Sequence, residues 1–361
     1  MKFESSSVKC YSFNSSKSMK SFPCEITKSS RPRLAVLFPG ALGDFVCLLP
    51  ALQSLVREAE VDFFARMEFA GLVPAGVKVR SLERPEVSAL FVDDVADETP
   101  LQDLFGGYQE VFSWFGSRQP QFVRRLQSAS RGKAKIFPFR PAIEGIHQID
   151  YYLSCLKDHP VQHRKPVITP CDEGVRWCED FYAAHALRQR PVLTLAPGSG
   201  AREKNWPEEF FVAVAEWWRV AVSGNVVLLL GPVEEERGSY ERLRSRCMTA
   251  TGLQLFQVAA LLCASDVYVG NDSGVSHLAA ATGVRAVVLF GPSDRLQWAP
   301  RGKRVTILHR DTACSPCSVA AMKSCSHRAC LTELFPEEVI GVAARLPEVV
   351  TLTREEAGIR V

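Results

Sequence analysis

A glycine-bearing turn, Gly40 to Asp44, carries the first acidic side chain that is placed to do chemistry. It follows an apolar run, Leu34 to Phe38, that is typical of a buried parallel strand, and it precedes a helical pattern. Ligands of open α/β sheets bind beyond the carboxyl ends of the strands, where this turn lies. Asp44 at a helix start facing such a cleft suits a general base, and it equally suits a carboxylate that caps the helix. The turn alone leaves both roles open.

A second loop, Pro197 to Pro207, follows the apolar run Val192 to Ala196 and has the composition of an anion site. Free backbone amides at Ser199 and Gly200 are able to form an anion nest, and Lys204 adds a mobile positive charge suited to phosphate. A solvated surface loop often has the same composition. The loop by itself therefore does not decide between the two interpretations.

The stretch from residue 270 to 277 predicts a helix start with room for a phosphate. Asp272 or Ser273 is expected to cap this helix, and the amide of Gly274 would point into the same cleft. A helix N-terminus binds phosphate through its free amides and its dipole. His277 lies one turn further on, either facing the ligand or packed beneath it.

Residues 117 to 140 carry seven basic side chains and no acidic one. Guanidinium groups pair bidentately with carboxylates and phosphates, so the stretch is a candidate contact for an acidic acceptor or for anionic lipid headgroups. A solvated helix face and loop explain the same charges equally well. The side chains that we assign to the acceptor are Arg124, Arg125 and Arg131.

Of the twelve cysteines, only four cluster, in the spacing C-x2-C-x7-C-x4-C: Cys314, Cys317, Cys325 and Cys330. Four thiols in one segment suit a tetrahedral zinc or iron site. Buried reduced thiols are the alternative, because common zinc ribbons place their pairs further apart. Four protein ligands would leave no open position for a substrate, so we expect any metal here to be structural.

Two series of alternating strands and helices must position these residues. The first series has apolar runs at 34–38, 61–65, 110–114 and 134–137, and a helix at 45–58 that Pro50 is expected to kink. The second series has strands at 192–196, 226–230, 266–269 and 286–290, and helices at 207–220, 234–248, 255–263 and 274–282. This alternation predicts an α/β protein with two Rossmann-like parallel-sheet halves that face a cleft.

The predicted organisation has four parts. A Ser/Lys-rich disordered tail covers residues 1–30, where Met1 and Met19 are both candidate starts. A first Rossmann-like domain follows at 31–165 and a second at 166–338. Residues 339–361 are expected to form a helical segment that packs back on the first domain.

The composition excludes several classes of protein. Among 361 residues, 47% are apolar and 23% are charged, which rules out a wholly disordered chain, a collagen and a coiled coil. The net charge of +3 is too small to imply nucleic acid, although it tolerates an anionic substrate. The sequence shows neither a charge-free stretch long enough to span a bilayer nor a secretory signal, so we expect a reducing, cytoplasmic setting.

Taken together, these segments resemble glycosyltransferase family 9, the ADP-heptose:lipopolysaccharide heptosyltransferases, which have the GT-B fold. The resemblance runs from about residue 34 to residue 342. It rests on five segments that occur in the family's order and are followed by a cysteine-rich segment. The five are Gly43-Asp44 with Pro50 six residues after Asp44, residues 197–199 (PGS), residues 204–207 (KNWP), residues 272–277 (DSGVSH) and residues 290–292 (FGP).

The resemblance implies that the domain at 31–165 binds the acceptor and the domain at 166–338 binds the nucleotide sugar, and it implies a role for each matching position. Asp44 would be the base that deprotonates the acceptor hydroxyl, with Gly43 beside it at the acceptor, and Lys204 would contact the donor diphosphate. The implied donor-binding residues are Ser199, Gly200, Asp272, Ser273, Gly274 and His277 near the phosphates, with Glu234 or Glu235 at the ribose. Ser199 and Gly200 stand where the family has paired threonines, so this chain has one hydroxyl fewer there.

The function implied is inverting, metal-independent transfer of a heptose or related sugar from an ADP-sugar to a lipopolysaccharide core or similar glycan. Lysine and helix amides would stabilise the leaving diphosphate in place of a divalent metal. We expect no catalytic cofactor, an ADP-sugar donor, an acidic glycolipid acceptor, no nucleic acid, and at most peripheral contact with the inner membrane. Two alternatives remain: another GT-B enzyme such as a nucleotide-sugar 2-epimerase, and a non-catalytic sugar-nucleotide-binding protein.

Overall fold

A computed structural model of the chain describes residues 31–93 and 97–345, and its strands form two parallel sheets. The first sheet holds β1 (Arg33–Leu37), β2 (Glu60–Ala65), β3 (Val77–Ser81), β4 (Glu110–Ser113) and β5 (Ala134–Ile136). The second sheet holds β6 (Val192–Ala196), β7 (Asn225–Leu229), β8 (Met248–Ala250), β9 (Val267–Asn271), β10 (Arg285–Phe290) and β11 (Val305–His309). The predicted tail at 1–30 lies outside the described residues.

The strand orders are β3-β2-β1-β4-β5 and β11-β10-β9-β6-β7-β8, and every neighbouring pair is parallel. Counted within each half, both orders are the doubly wound order 3-2-1-4-5, with a sixth strand in the second sheet. The order reverses between β1 and β4 in the first sheet and between β6 and β9 in the second. Ligands of doubly wound folds bind at such switch points, so each half presents one crevice.

The helices surround these sheets. Those of the first half are α1 (Leu42–Glu58), α2 (Pro85–Ala89), α3 (Thr99–Phe105), α4 (Pro120–Ala129) and α5 (Gln148–Ser154). Those that follow are α6 (Asp172–Ala184), α7 (Glu208–Ala221), α8 (Pro232–Glu236), α9 (Glu241–Arg244), α10 (Leu255–Ala264), α11 (Gly274–Thr282), α12 (Arg295–Trp298), α13 (Val319–Ser324), α14 (Ala329–Thr332) and α15 (Pro336–Ala343). Within the described ranges, none has both the length and the apolar character that a membrane span requires.

Helix α1 joins the two halves, because its apolar residues are buried on nearly every side. The run from Phe45 to Leu52 is buried throughout, and the helix continues through Pro50 without ending. One face of α1 packs on its own sheet, and another packs on α11 of the second half. A single hydrophobic cluster therefore contains residues of both sheets, such as Val36 and Val288.

One predicted helix was wrong. Instead of one helix at 234–248, the chain forms α8 and α9, because Gly238 and Tyr240 between them adopt left-handed backbone angles (φ 59° and 66°), and β8 begins at Met248. Of the predicted C-terminal segment at 339–361, residues 346–361 lie outside the described residues, so its packing on the first domain stays a prediction. Val339 of α15 is buried in the cluster that α7 and the second sheet form.

Candidate active site

Asp44 occupies the first switch point, in the first turn of α1. Its Oδ1 accepts a hydrogen bond from Arg140 Nη1 at 2.6 Å, and its Oδ2 accepts one from the amide of Ala41, which precedes the helix, at 3.3 Å. The Asp44 side chain is 13% exposed. Asp44 thus serves the helix start from the third position of α1, with Ala41 as the N-cap residue, and it also stands at the crevice of the first half.

Lys204 and Asp272 occupy the second switch point as an ion pair. Lys204 follows β6 and Asp272 follows β9, and their Nζ and Oδ2 atoms are 2.8 Å apart. The lysine side chain is 29% exposed and the aspartate 7%. Ser273, rather than Asp272, caps α11, since its Oγ accepts the amide hydrogen of Ser276. The Asp272 carboxylate is therefore available to hold the lysine.

His277 packs beneath this site instead of facing a ligand. Its ring is buried under α1, with Nδ1 3.7 Å from the Cys47 sulfur, and a Cβ on Gly43 would lie 3.4 Å from its Cδ2. Burial lowers the pKa of His277 to about 4, so the ring is neutral at pH 7. Burial also raises the pKa of the Cys47 thiol, which keeps it protonated and unreactive.

A cavity of about 470 Å³ opens between the two switch points. One side is backbone: Gly43 at the start of α1, Ser199 and Gly200 after β6, and the start of α11. The other side is apolar, with side chains that include Leu230, Val233, Leu253, Leu255 and Val258. A cavity with free amides at one end and apolar side chains at the other suits a ligand with a phosphate end and a flat apolar end.

Gly274 allows the starts of α1 and α11 to meet beside this cavity. A Cβ built on Gly274 would lie 3.0 Å from the backbone nitrogen of Gly43 and 3.0 Å from Cβ of Leu42, which is tighter than side chains normally make. A Cβ on Gly43 would make only ordinary contacts, at 3.4 Å and beyond. The absence of a side chain at Gly274 therefore lets the two helix starts come together with the amides of their first turns.

Of the two candidate acidic residues after β7, only Glu234 lines the cavity. Its Oε2 accepts the amide hydrogen of Gly231 at 3.1 Å, and a Cβ on Gly198 would lie 2.3 Å from its Oε1. Glu235 is exposed and lies 3.9 Å from Arg244. Of the two, Glu234 is therefore the one at the cavity, and its role at the ribose stays a prediction.

The Ser199 hydroxyl already has partners within the protein. It donates towards Asn205 Oδ1 at 2.6 Å, and Asn205 Nδ2 donates to the Tyr240 hydroxyl at 2.8 Å. That hydroxyl donates in turn to the Pro197 carbonyl at 2.6 Å, and so ties α9 to the loop. Sequence reasoning missed Asn205 and Tyr240; Asn205 stands inside the segment at 204–207, whereas no local signal marks Tyr240.

The basic stretch is dispersed over the first half. Arg125 donates to the carbonyls of Ala89 (3.2 Å) and Asp93 (2.7 Å), so its guanidinium holds the chain after α2. Arg131 lies between α4 and β5, at the amino edge of the sheet and hence opposite the crevice, and Arg124 is exposed on α4. The predicted grouping of these three at the acceptor does not occur. Arg140, from the end of the same stretch, is the one that reaches Asp44.

The four clustered cysteines differ in exposure. Cys330 is buried, and burial raises its pKa to about 11; Cys317 and Cys325 are half-buried, and Cys314 is exposed. The Cys317 sulfur lies 3.1 Å from the Cys314 carbonyl. Among the described residues, no three His, Cys, Asp or Glu side chains are grouped so as to hold a metal ion. The four thiols thus share one segment of the chain but differ in their surroundings, and both interpretations, a metal site and buried reduced thiols, stay predictions.

Residues 135–326, more than half of the chain, match glycosyltransferase family 9 (heptosyltransferase). The chain belongs to this family. A curated relative, lipooligosaccharide heptosyltransferase 2 of Campylobacter jejuni, is 30% identical over 168 residues, which are 44% of this chain and 51% of the relative. The chain thus spans about half the length of this curated relative.

Solved structures show the same fold over nearly the whole chain. The glycosyl transferase family 9 protein from Veillonella parvula superposes with a TM-score of 0.69 at 21% identity, over 90% of this chain and 98% of that one. The dodecameric iron-containing heptosyltransferase TibC, solved in complex with ADP-D-beta-D-heptose, gives a TM-score of 0.53 at 14% identity, over 90% of this chain and 77% of that one. The predicted GT-B architecture and the family are both confirmed.

Proposed function

We propose that this member of glycosyltransferase family 9 transfers a heptose from ADP-heptose to a lipo-oligosaccharide or lipopolysaccharide core, with inversion and without a catalytic metal. One observation carries the proposal: a carboxylate from one half and an ammonium group from the other surround the same buried histidine, next to a cavity that the starts of α1 and α11 line. Asp44, Lys204 and Asp272 all lie close enough to His277 to act on its pKa. Glycosyl transfer needs this combination of a base and an anion-stabilising group.

In the proposed reaction the acceptor hydroxyl gives its proton to the Asp44 carboxylate as its oxygen attacks the anomeric carbon. The bond from that carbon to the ADP oxygen breaks on the opposite face, so ADP leaves and the configuration inverts. Lys204 and the amides at the start of α11 stabilise the negative charge that develops on the diphosphate. Because a lysine and backbone amides balance this negative charge, the proposal needs no divalent ion.

The cavity gives each part of the donor a partner. We place the adenine against the apolar side, the diphosphate at the helix starts, and the ribose at Glu234. An acidic residue beyond the second strand of a Rossmann half is suited to bond ribose hydroxyls, and Glu234 follows β7, the second strand of its half. That TibC was solved with ADP-heptose supports this class of donor.

For the acceptor, we propose contacts on the carboxyl edge of the first sheet. Arg118 lies there, between β4 and α4, with Arg124 following on α4, whereas Arg131 lies at the opposite edge. The Campylobacter relative is named a lipooligosaccharide heptosyltransferase, which supports a glycolipid acceptor. Work at the cytoplasmic surface of the inner membrane is part of the same proposal. Replacing Arg118 and Arg124 by alanine should raise the acceptor KM most in dilute buffer, and Arg131→Ala is the matched control. Equal acceptor KM values at low salt would remove these contacts from the proposal.

The cysteine segment is proposed to take one structural zinc or iron ion, a proposal that the iron-containing TibC supports. Four thiols are a suitable donor set, and Cys314, Cys317 and Cys325 lie near enough to Cys330 to raise its pKa. Their described positions do not form a ligand sphere, so the thiols would have to draw together on the ion. Elemental analysis should find about one metal ion per chain, with chelation lowering the Tm. Metal-free protein with an unchanged Tm would contradict this part.

The function is tested by incubating the purified protein with ADP-heptose, with and without a heptose-deficient lipo-oligosaccharide, and analysing products by mass spectrometry. We expect a heptose mass increment on the acceptor and stoichiometric ADP. Isomerised or hydrolysed donor in the absence of acceptor would instead indicate an epimerase-type reaction. Binding of ADP-heptose with neither product would indicate a non-catalytic binding protein.

A further inference from the structure

Arg140 connects Asp44 to the opposite half of the molecule. One nitrogen of its guanidinium donates to Asp44 Oδ1 at 2.6 Å. The guanidinium carbon also lies 4.4 Å from the ring centroid of Phe139, its neighbour, and 4.4 Å from that of Trp298, at the end of α12. Cations at this distance from an aromatic ring are attracted by its quadrupole. A residue of the second half thus helps to hold the partner of the carboxylate in the first.

Trp298 belongs to a segment that docks on the first half at several points. The carbonyl of Ala299 lies 2.9 Å from His147 Nε2, and Arg301 forms a bidentate pair with Asp150, at 2.7 and 2.6 Å. These contacts fix residues 298–301 against the start of α5. The position of the Trp298 ring therefore depends on how the two halves are seated against each other.

Asp44 needs such an anchor if it is to act as a base. Its other contact, from Oδ2 to the Ala41 amide, is long at 3.3 Å, so the bond to Arg140 is the contact that fixes the plane of the carboxylate. A carboxylate oxygen has two lone pairs, and one hydrogen bond to each oxygen leaves others able to accept a proton. Charge-assisted bonds from a planar guanidinium set orientation better than a flexible ammonium group does.

We propose that Arg140 is a positioning residue for Asp44 and that Trp298 fixes the position of Arg140. The Asp44 carboxylate is then aligned as a base only when the two halves are packed against each other. This inference rests on the proposed function, because it assigns Asp44 the proton transfer. Misplacing a catalytic group by about 1 Å can cost on the order of 10²-fold in rate. In this scheme Arg140 contacts neither the transferred proton nor the donor, so it affects kcat through the orientation of Asp44.

The test measures kcat and the KM values for donor and acceptor in the heptose-transfer assay, for a set of matched variants. Arg140→Ala should lower kcat about 10- to 100-fold, with ADP affinity by calorimetry unchanged, and Arg140→Lys should recover part of the loss. Trp298→Leu should lower kcat about 5-fold or more, and Trp298→Phe, which keeps an aromatic face, should lose less. Combining Arg140→Ala with Trp298→Leu should cost no more than Arg140→Ala alone.

Arg295→Gln is the control, since it removes an ion pair of α12 that stays within the second half, with Asp311, and does not involve Arg140. An unchanged or raised kcat in Arg140→Ala, a rise in acceptor KM alone, or an equal loss of kcat in Arg295→Gln would each overturn the inference. Failure of the proposed function looks different: the wild-type protein would transfer no heptose, or Asp44→Asn would keep full turnover. In the Asp44→Asn background, Arg140→Ala should have no further effect, because its target is already gone.

Discussion

The two switch points are built alike and carry opposite chemistry. In each, a strand ends in a loop, a helix begins, and an acidic side chain beside that helix start pairs with a cation that is more exposed than itself. In the first half the acid, Asp44, lies inside the first turn of the helix. In the second half the acid, Asp272, lies before the cap and is almost fully buried. The fold places a charged pair at each crevice. The acid stands a few positions earlier, relative to the helix start, in the second half than in the first, and this difference helps to decide whether the acid or the cation is available to a ligand.

The support of each cation explains the difference. Arg140 is stacked against two aromatic rings and is fixed, so at the first pair the carboxylate is the group that can exchange a proton. Lys204 has a flexible stem and one buried carboxylate partner, so at the second pair the ammonium group is free to follow a ligand. The first crevice is thereby suited to a base and the second to an anion.

Replacing the acid of the first pair should have the largest effect. Asp44→Asn keeps the shape of the side chain and one oxygen to accept the bond from Arg140, at the cost of the long bond from the Ala41 amide, and it removes the basic charge. We expect kcat to fall by about 10²-fold or more while ADP affinity and Tm stay near those of the wild type. Steady-state kinetics and calorimetry measure both. If turnover stays within a few-fold, Asp44 is a helix-start residue only and the contrast between the halves disappears.

At the second pair, the cation should dominate ligand binding. Lys204→Ala should weaken ADP binding by about 1.5–3 kcal/mol, because a charge-assisted bond is lost and the Asp272 carboxylate is left uncompensated beside the diphosphate. Adding Asp272→Asn should recover part of that loss, since the repulsion is then removed. Titration calorimetry on the two variants separates these contributions. Unchanged ADP affinity in Lys204→Ala would refute the anion-binding role of this pair.

His277 lies beneath both ion pairs, and its ionisation should make the free energy of unfolding depend on pH. Its pKa is about 4 when folded and near 6.5 when the chain is unfolded. The unfolded chain therefore binds the extra proton between these values, so stability is lost as the pH falls below 6.5. The loss from this group is about 2 kcal/mol at pH 5.

His277→Gln removes that ionisation and should flatten the pH dependence by about the same amount. Urea unfolding at pH 7 and pH 5 gives the difference for each protein. The pKa of His147 is also lowered by burial and contributes with the same sign, so some dependence remains in the variant. An identical pH dependence in variant and wild type would show that His277 is not buried in its neutral form.

The sequence predicted the strands and the loops at their carboxyl ends well, and these loops carry most of the candidate site residues. Apolar runs predicted most strands, and the loops after β1, β6 and β9 were recognised from their glycines, charges and order. It was a poor guide to side chains that meet across long separations. Nothing local to Arg140 or Trp298 indicates that one stacks on the other, and the dispersal of the basic stretch follows from strand direction rather than composition. Tyr240 itself carries no turn signal although its backbone is left-handed, whereas Gly238-Ser239 just before it is a signal that the predicted helix at 234–248 overlooked.

The smallest predicted effect concerns two glycines of the same loop in the second half. A Cβ on Gly198 would meet the Glu234 carboxylate at 2.3 Å, whereas a Cβ on Gly200 would meet no atom within 4 Å. Because the far end of a glutamate side chain can move, Gly198→Ala should displace Glu234 from the cavity without unfolding the loop. We expect ADP to bind a few-fold more weakly, about 0.5–1.5 kcal/mol, as for one lost hydrogen bond.

Gly200→Ala, the matched control, should bind ADP like the wild type. Glu234→Ala should reproduce the effect of Gly198→Ala, and the two together should not add, since both remove the same carboxylate. The same series has no counterpart in the first half, where the cavity meets backbone at Gly43. If both alanine variants of the loop bind ADP equally well, Glu234 does not contact the nucleotide, and the second half then recognises its ligand through the diphosphate alone.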